Sequence, residues 1–186
     1  MSEKWEMDAE TPSSYFAVEA QRGREFVIRL PNGADVLKAL QQFALDKNIR
    51  FAKVHSAFMG GLQPTKFLVW TPDTRDTNNW HNETEITINN ISMLLGLSGQ
   101  ISPRPVKGGN GKTEPFAALH FVTGGSWNCP TIGGHMNDGT IVKGVLACYI
   151  TEILGIDVLY PGDWRPDGYA CPYANEYPEN WYQEVK

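Results

Sequence analysis

Only one stretch of this 186-residue chain carries a helical period. Val36, Leu37, Leu40, Phe43 and Ala44 recur at the spacing that lines one face of a helix. The pattern predicts a helix from Ala34 to Lys47. Asn32 or Gly33 can cap it, Asp35 suits its positive first turn, and Asp46, Lys47 and Asn48 end it. Nearly everything else reads as strand or loop. Residues 25–30, 49–58, 66–70, 83–88, 91–101, 116–123 and 141–156 are apolar or alternating runs. Gly96 and Gly99 inside the fifth run suggest bulges or close backbone contact. Residues 71–82 and 102–114 are rich in turn formers and read as loops. One helix among many strands, without regular alternation, implies an α+β fold. Short strands charged on one face imply a largely antiparallel, curved β-sheet with one main helix packed on it.

The two ends differ from the middle. Residues 1–23 show no sustained period and read as an N-terminal arm, leaving 24–158 as the domain. Residues 159–186 form an aromatic and proline-rich strap that holds Tyr160, Trp164, Tyr169, Tyr173, Tyr177, Trp181 and Tyr182. Disordered tails are poor in aromatics, so the rings are expected to act as anchors on the globule.

Composition narrows the function classes. A chain of this length buries enough surface to fold without staples. No apolar run is long enough to span a membrane. The first residues lack the apolar core of a signal peptide. Cys129, Cys148 and Cys171 are odd in number and far apart, which favours a reducing cytoplasm. The net charge of -5 opposes non-specific binding to phosphate backbones, although a local basic patch can still provide it.

Three short motifs look functional and fall short. Gly108 to Thr113 resembles the end of a phosphate-binding loop, but Val106 replaces the first glycine and Pro115 leads into a strand rather than a helix. The flexible basic loop with Arg104, Lys107 and Lys112 is the better reading, and it is the nucleic-acid candidate. Arg22, Gly23 and Arg24 resemble the core of an AT-hook. Glu25 stands where proline should follow, and a carboxylate is unfavourable in a narrow minor groove. Ser126 after Gly124 and Gly125 does not form a nucleophile elbow.

The histidines are His55, His81, His120 and His135. His120 lies in the alternating run 115–122, and His135 follows Gly133 and Gly134. A strand, a connection and a glycine-rich turn could bring these two imidazoles together. Catalytic zinc sites usually take three protein ligands, and a carboxylate such as Glu152 could be the third. Equally, one histidine could be a core residue and the other a turn residue. Proton transfer without metal is a further option.

At this point the sequence resembles the Plants and Prokaryotes Conserved (PPC) domain family. The resemblance runs from the strand 26–30, with Arg29 before a glycine-containing turn, through the helix and residues 51–54. It is strongest at 97–101, 115–120 and 133–142. It implies an antiparallel sheet assembled as a homotrimer, of the bacterial type without an AT-hook. Plant members accompany AT-hooks, so bacterial relatives carry DNA-binding labels. Many bacterial members have a metal site made of a His-x-His pair, the histidine after Gly-Gly, and a glutamate on the strand before. His120 matches the second histidine of the pair and His135 the last. Ala118 stands in place of the first, and Met93 in place of the glutamate.

These readings converge on a trimeric cytoplasmic binding or scaffolding module with a degenerate histidine pocket. The pocket would comprise His120, His135, Gly133, Gly134 and Arg29. The favoured form has no cofactor, and a divalent metal such as zinc is the alternative. Partners would be further copies of the chain and a small molecule, with nucleic acid a family-derived option and no membrane. A metal-dependent enzyme acting on a small molecule is the second reading, and DNA binding the third.

Overall fold

The computed structural model describes residues 17–71, 82–106, 112–124, 131–158 and 182–184. In chain order the elements are β1 (Gln21–Leu30), α1 (Val36–Asp46), β2 (Ala52–Phe58), β3 (Gly61–Leu62), β4 (Thr65–Thr71), β5 (Asn82–Ile88) and β6 (Ser92–Pro105). Then follow β7 (Thr113–Gly124), β8 (Ile132–Met136), β9 (Val142–Lys143), β10 (Leu146–Leu154), β11 (Ile156–Val158) and β12 (Tyr182–Glu184). Ten strands form one sheet in the order β1-β10-β2-β6-β7-β8-β4-β5, with the short β3 and β9 to one side. All its strand pairings are antiparallel. The expected α+β architecture is therefore present, with one helix among the described residues.

The helix forms where the apolar period lies. Its cap is Asp35, whose carboxylate accepts from Lys38 N at 3.2 Å. Asn32 and Gly33 precede it in a turn. Asp35 also accepts from Gly139 N at 2.9 Å, so one side chain ties the helix start to the turn after β8. Val36, Leu37, Leu40 and Ala44 are buried against one face of the sheet, and the helix meets β7 more than any other strand. Leu119 and Phe121 of β7, Leu97 and Ile101 of β6, Val54 of β2 and Ile150 of β10 are buried in the same core.

Strand alternation sends the intervening residues to the opposite face. Ser98, His120, Tyr149 and Val27 are exposed there. This open face positions the site.

Several boundaries depart from the sequence reading. Arg22, Gly23 and Arg24 lie inside β1, which begins ahead of the expected 25–30 strand; a register shift between Arg22 and Glu25 absorbs them. A Cβ at position 23 would come within 3.0 Å of Glu152 Oε2, so glycine lets the strand pass over that carboxylate. Residues 102–105 and 113–114, expected in a loop, continue β6 and β7 as a long hairpin, with Pro103 opposite Pro115. The pairing of β2 with β6 ends at Ile101, so Pro103 and Pro105 lie past that ladder, and proline is tolerated outside the interior of a sheet. Of the C-terminal strap, Tyr182–Glu184 pairs with Ile156–Val158. Residues 159–181 and the arm 1–16 lie outside the described residues.

Candidate functional site at the β7–β8 pair

His120 and His135 face each other directly across β7 and β8. Their ring centroids are 5.3 Å apart at an interplanar angle of 79°, an edge-to-face contact. His120 is exposed and His135 half-buried. The row continues to Ser98 on β6 and Leu68 on β4.

Gly133 and Gly134 belong to β8 itself and not to a turn. Neither has the left-handed torsion that a glycine turn would need. Their role is close approach. A Cβ on Gly133 would stand 2.4 Å from the Phe121 carbonyl oxygen. One on Gly134 would stand 2.7 Å from Phe67 Cδ2 and 2.8 Å from the Leu68 carbonyl oxygen. Phe121 lies opposite Gly134, and its ring meets Phe67 edge-to-face at 5.3 Å. Two phenyl rings thus fill the inner side beneath a glycine, while His135 is held on the outer side. An aromatic residue covering a cross-strand glycine is a recurrent sheet device.

Burial pushes the His135 imidazole below its ordinary range, and the neighbouring His120 adds to this. His135 is therefore biased toward its neutral form, which can accept a hydrogen bond or donate a lone pair to a cation.

The remaining candidates fall elsewhere. Glu152, the suggested third ligand, lies on β10, three strands from β7 in the sheet order. Arg24 holds it through Nε at 2.7 Å and Nη2 at 2.8 Å. Met93 pairs with Gly124, so the residue facing His120 from β6 is Ser98. Gln100 faces Ala118. Arg29 is exposed on β1, paired with Ala147 at the far edge of the sheet. No group of three or more His, Cys, Asp or Glu side chains suited to a metal ion occurs among the described residues. A three-ligand catalytic zinc site therefore does not fit the described residues of one chain.

In the basic loop, Arg104 pairs with Glu114 at 2.8 Å, and its guanidinium lies 4.6 Å from the Phe116 ring centroid. Lys112 is exposed, and Lys107 lies outside the described residues. Cys148 is buried, and burial pushes its thiol up to about 11, so it is unreactive at neutral pH. No helix among the described residues is long and apolar enough to cross a membrane.

Spacing did not single out His55. It is exposed on the open face, and its Nε2 lies 2.5 Å from Thr151 Oγ1. Residues 55 and 151 come from different strands, so no local motif announces their contact.

Comparison with known proteins agrees with this architecture. Residues 17–154 match the Plants and Prokaryotes Conserved (PCC) domain, and the chain belongs to that family. No curated protein gives a significant match. Among solved structures, a plant- and prokaryote-conserved protein from Pyrococcus horikoshii is 22% identical with a TM-score of 0.60, covering 77% of this chain and 87% of its own. A metal-containing protein from Archaeoglobus fulgidus is 20% identical with a TM-score of 0.57, covering 74% and 85%. A candidate DNA-binding protein from Bacteroides thetaiotaomicron is 18% identical with a TM-score of 0.55, covering 76% and 90%. At these identities the likeness concerns the fold.

Proposed function

We propose that this chain is a cytosolic, homotrimeric binding or scaffolding module whose ligand position is the His120–His135 pair. The observation that carries this reading is the direct cross-strand meeting of the two imidazoles on the open face. Two adjacent imidazoles, one biased toward the neutral form, offer both a donor and an acceptor to a small polar molecule. Beside them Met93, Leu95 and Val122 are exposed apolar side chains on the same face. Such a patch favours contact with another protein surface, and further copies of the chain are the partner this reading names.

Size-exclusion chromatography with light scattering tests the assembly. The reading expects a mass of about three times the 20.8 kDa chain; a stable monomer overturns it. Nuclear magnetic resonance of the two rings during a fragment screen tests the pocket. Hits should perturb both rings together and be lost in H120A. A screen that leaves both rings unperturbed counts against a ligand position here.

The histidine pair also favours a second reading, a metal-dependent enzyme in which water or a partner copy completes the ligand set. The metal-containing structural neighbour supports it. Elemental analysis before and after incubation with zinc separates the two readings. Metal far below one equivalent in both removes the second. DNA binding rests on the designation of structural neighbours and on the basic loop, and the pairing of Arg104 with Glu114 weakens that loop's positive patch. Absence of binding to A·T-rich duplex at low salt ends that option, because phosphate attraction is strongest there.

A further inference from the structure

A hydrogen-bonded chain crosses three neighbouring strands on the open face. His55 Nε2 lies 2.5 Å from Thr151 Oγ1, and Thr151 Oγ1 lies 2.8 and 3.0 Å from the two Glu25 carboxylate oxygens. Arg22 Nε donates to Glu25 Oε1, the oxygen nearer to Thr151, at 2.5 Å. Thr151 is buried, whereas His55 is exposed. The backbone is shaped around this chain at both ends. On β2 the register to β10 shifts between Val54 and Ser56, so His55 is the extra residue of a bulge. On β1 the register to β10 shifts between Arg22 and Glu25. Bulges re-aim side chains and concentrate next to functional sites.

The chemistry fixes the protons. A threonine hydroxyl has one proton and a carboxylate only accepts. The Arg22 guanidinium, and after it the Thr151 hydroxyl, hold the Glu25 carboxyl below its usual range, so it is ionised at neutral pH. The Thr151 proton therefore points to Glu25, and the hydroxyl lone pair accepts Nε2–H of His55. In the neutral imidazole, this arrangement leaves the Nδ1 lone pair uncommitted among the described residues. Histidines that ligate metals or transfer protons are oriented in the same way, by a hydrogen bond on the opposite nitrogen.

We propose that His55 is a general-base position for a small molecule that carries an acidic O–H or N–H and rests on the open face. Nδ1 takes the proton, and the molecule is left as its anion. Nε2–H stays on Thr151, and the imidazolium formed is compensated by the Glu25 carboxylate two hydrogen bonds away. The proton returns from Nδ1 to the product. Thr151 and Glu25 are positioning residues. Other charged groups lie close by: Lys53 is opposite Thr151 on β2, and Arg22 is beyond Glu25. β6 alone separates β2 from β7, so the backbones carrying His55 and His120 are about 10 Å apart at the usual strand spacing. The site does not require the His120–His135 pair to bind anything.

Nitrogen-15 resonance of histidine-labelled protein reads the tautomer directly. The inference expects His55 as the Nε2–H form in the wild type and in T151S, and a tautomer mixture in T151V and E25Q. Carbethoxylation by diethyl pyrocarbonate, followed residue by residue by mass spectrometry, probes the Nδ1 lone pair. His55 should react several-fold faster in wild type and T151S than in T151V or E25Q, while His120 reacts at the same rate in all four. A wild-type His55 carrying its proton on Nδ1 overturns the inference, and that measurement needs no variant to fold. Equal His55 rates across the folded variants overturn it as well.

Discussion

Arg24 encloses the Glu152 carboxylate in a two-pronged contact, with Nε on one oxygen and Nη2 on the other. The same Nη2 donates to the Lys47 carbonyl oxygen at 2.9 Å, just past the helix. One exposed arginine thus joins the edge strand, a nearly buried carboxylate on β10 and the helix C-terminus. The Arg24 hydrogen bonds hold the Glu152 carboxyl below its ordinary value, although burial opposes them. A depressed carboxylate contributes stability above its unfolded-state value, and that contribution is lost as pH falls through the folded-state value. In R24M the contribution is absent from the start. The acid-unfolding midpoint, followed by circular dichroism, should move to higher pH than in wild type.

His135 behaves in the same sense at higher pH. Its imidazole is depressed by burial first and by His120 second. Stability linked to it is full above the ordinary histidine value, about 6.5, and declines as pH falls below that. Proton resonance titration should place His135 below a model imidazole. In H120A the value should rise only in part, because burial remains.

The glycine pair is a steric requirement. G133A places a methyl group against a carbonyl oxygen of β7, and G134A places one against Phe67 and a carbonyl oxygen of β4. Each should cost about 1–3 kcal/mol in chemical denaturation, as overpacking does. Each should also weaken the ring-to-ring nuclear Overhauser contact between His120 and His135. G96A is the control, since its methyl group would meet only Val122 Cγ1 at 3.7 Å.

Leu40 of the helix and Leu119 of β7 are both fully buried. L40A or L119A should lower stability by about 2–5 kcal/mol. Because both side chains lie on the covered face, the His120–His135 contact should persist in the folded fraction. Loss of that contact would show that the two faces are coupled.

The helix was legible because its buried residues are local and periodic. Its cap was misplaced by a few residues because Asp35 could serve either as cap or as first-turn charge, and only its bond from Lys38 N shows which. The long β6–β7 hairpin was hidden by Pro103 and Pro105, which read as loop formers and fall just past the end of the β2–β6 pairing at Ile101. The histidine pair could be anticipated because β7 and β8 are close in sequence. Glu152 could not be placed, since its distance from His120 depends on the order of strands. The contact of His55 with Thr151 depends on that order and on two bulges as well.

The described helix covers one side of the sheet only. Inward side chains such as Leu119 and Phe121 hold the molecule together, while their immediate neighbours Ala118 and His120 contribute little to it. Adjacent letters of one strand therefore answer to separate demands, cohesion and chemistry. A substitution at position 118, on the open face, is expected to leave the architecture standing. Such a surface can shed one activity and acquire another while the scaffold beneath it is untouched.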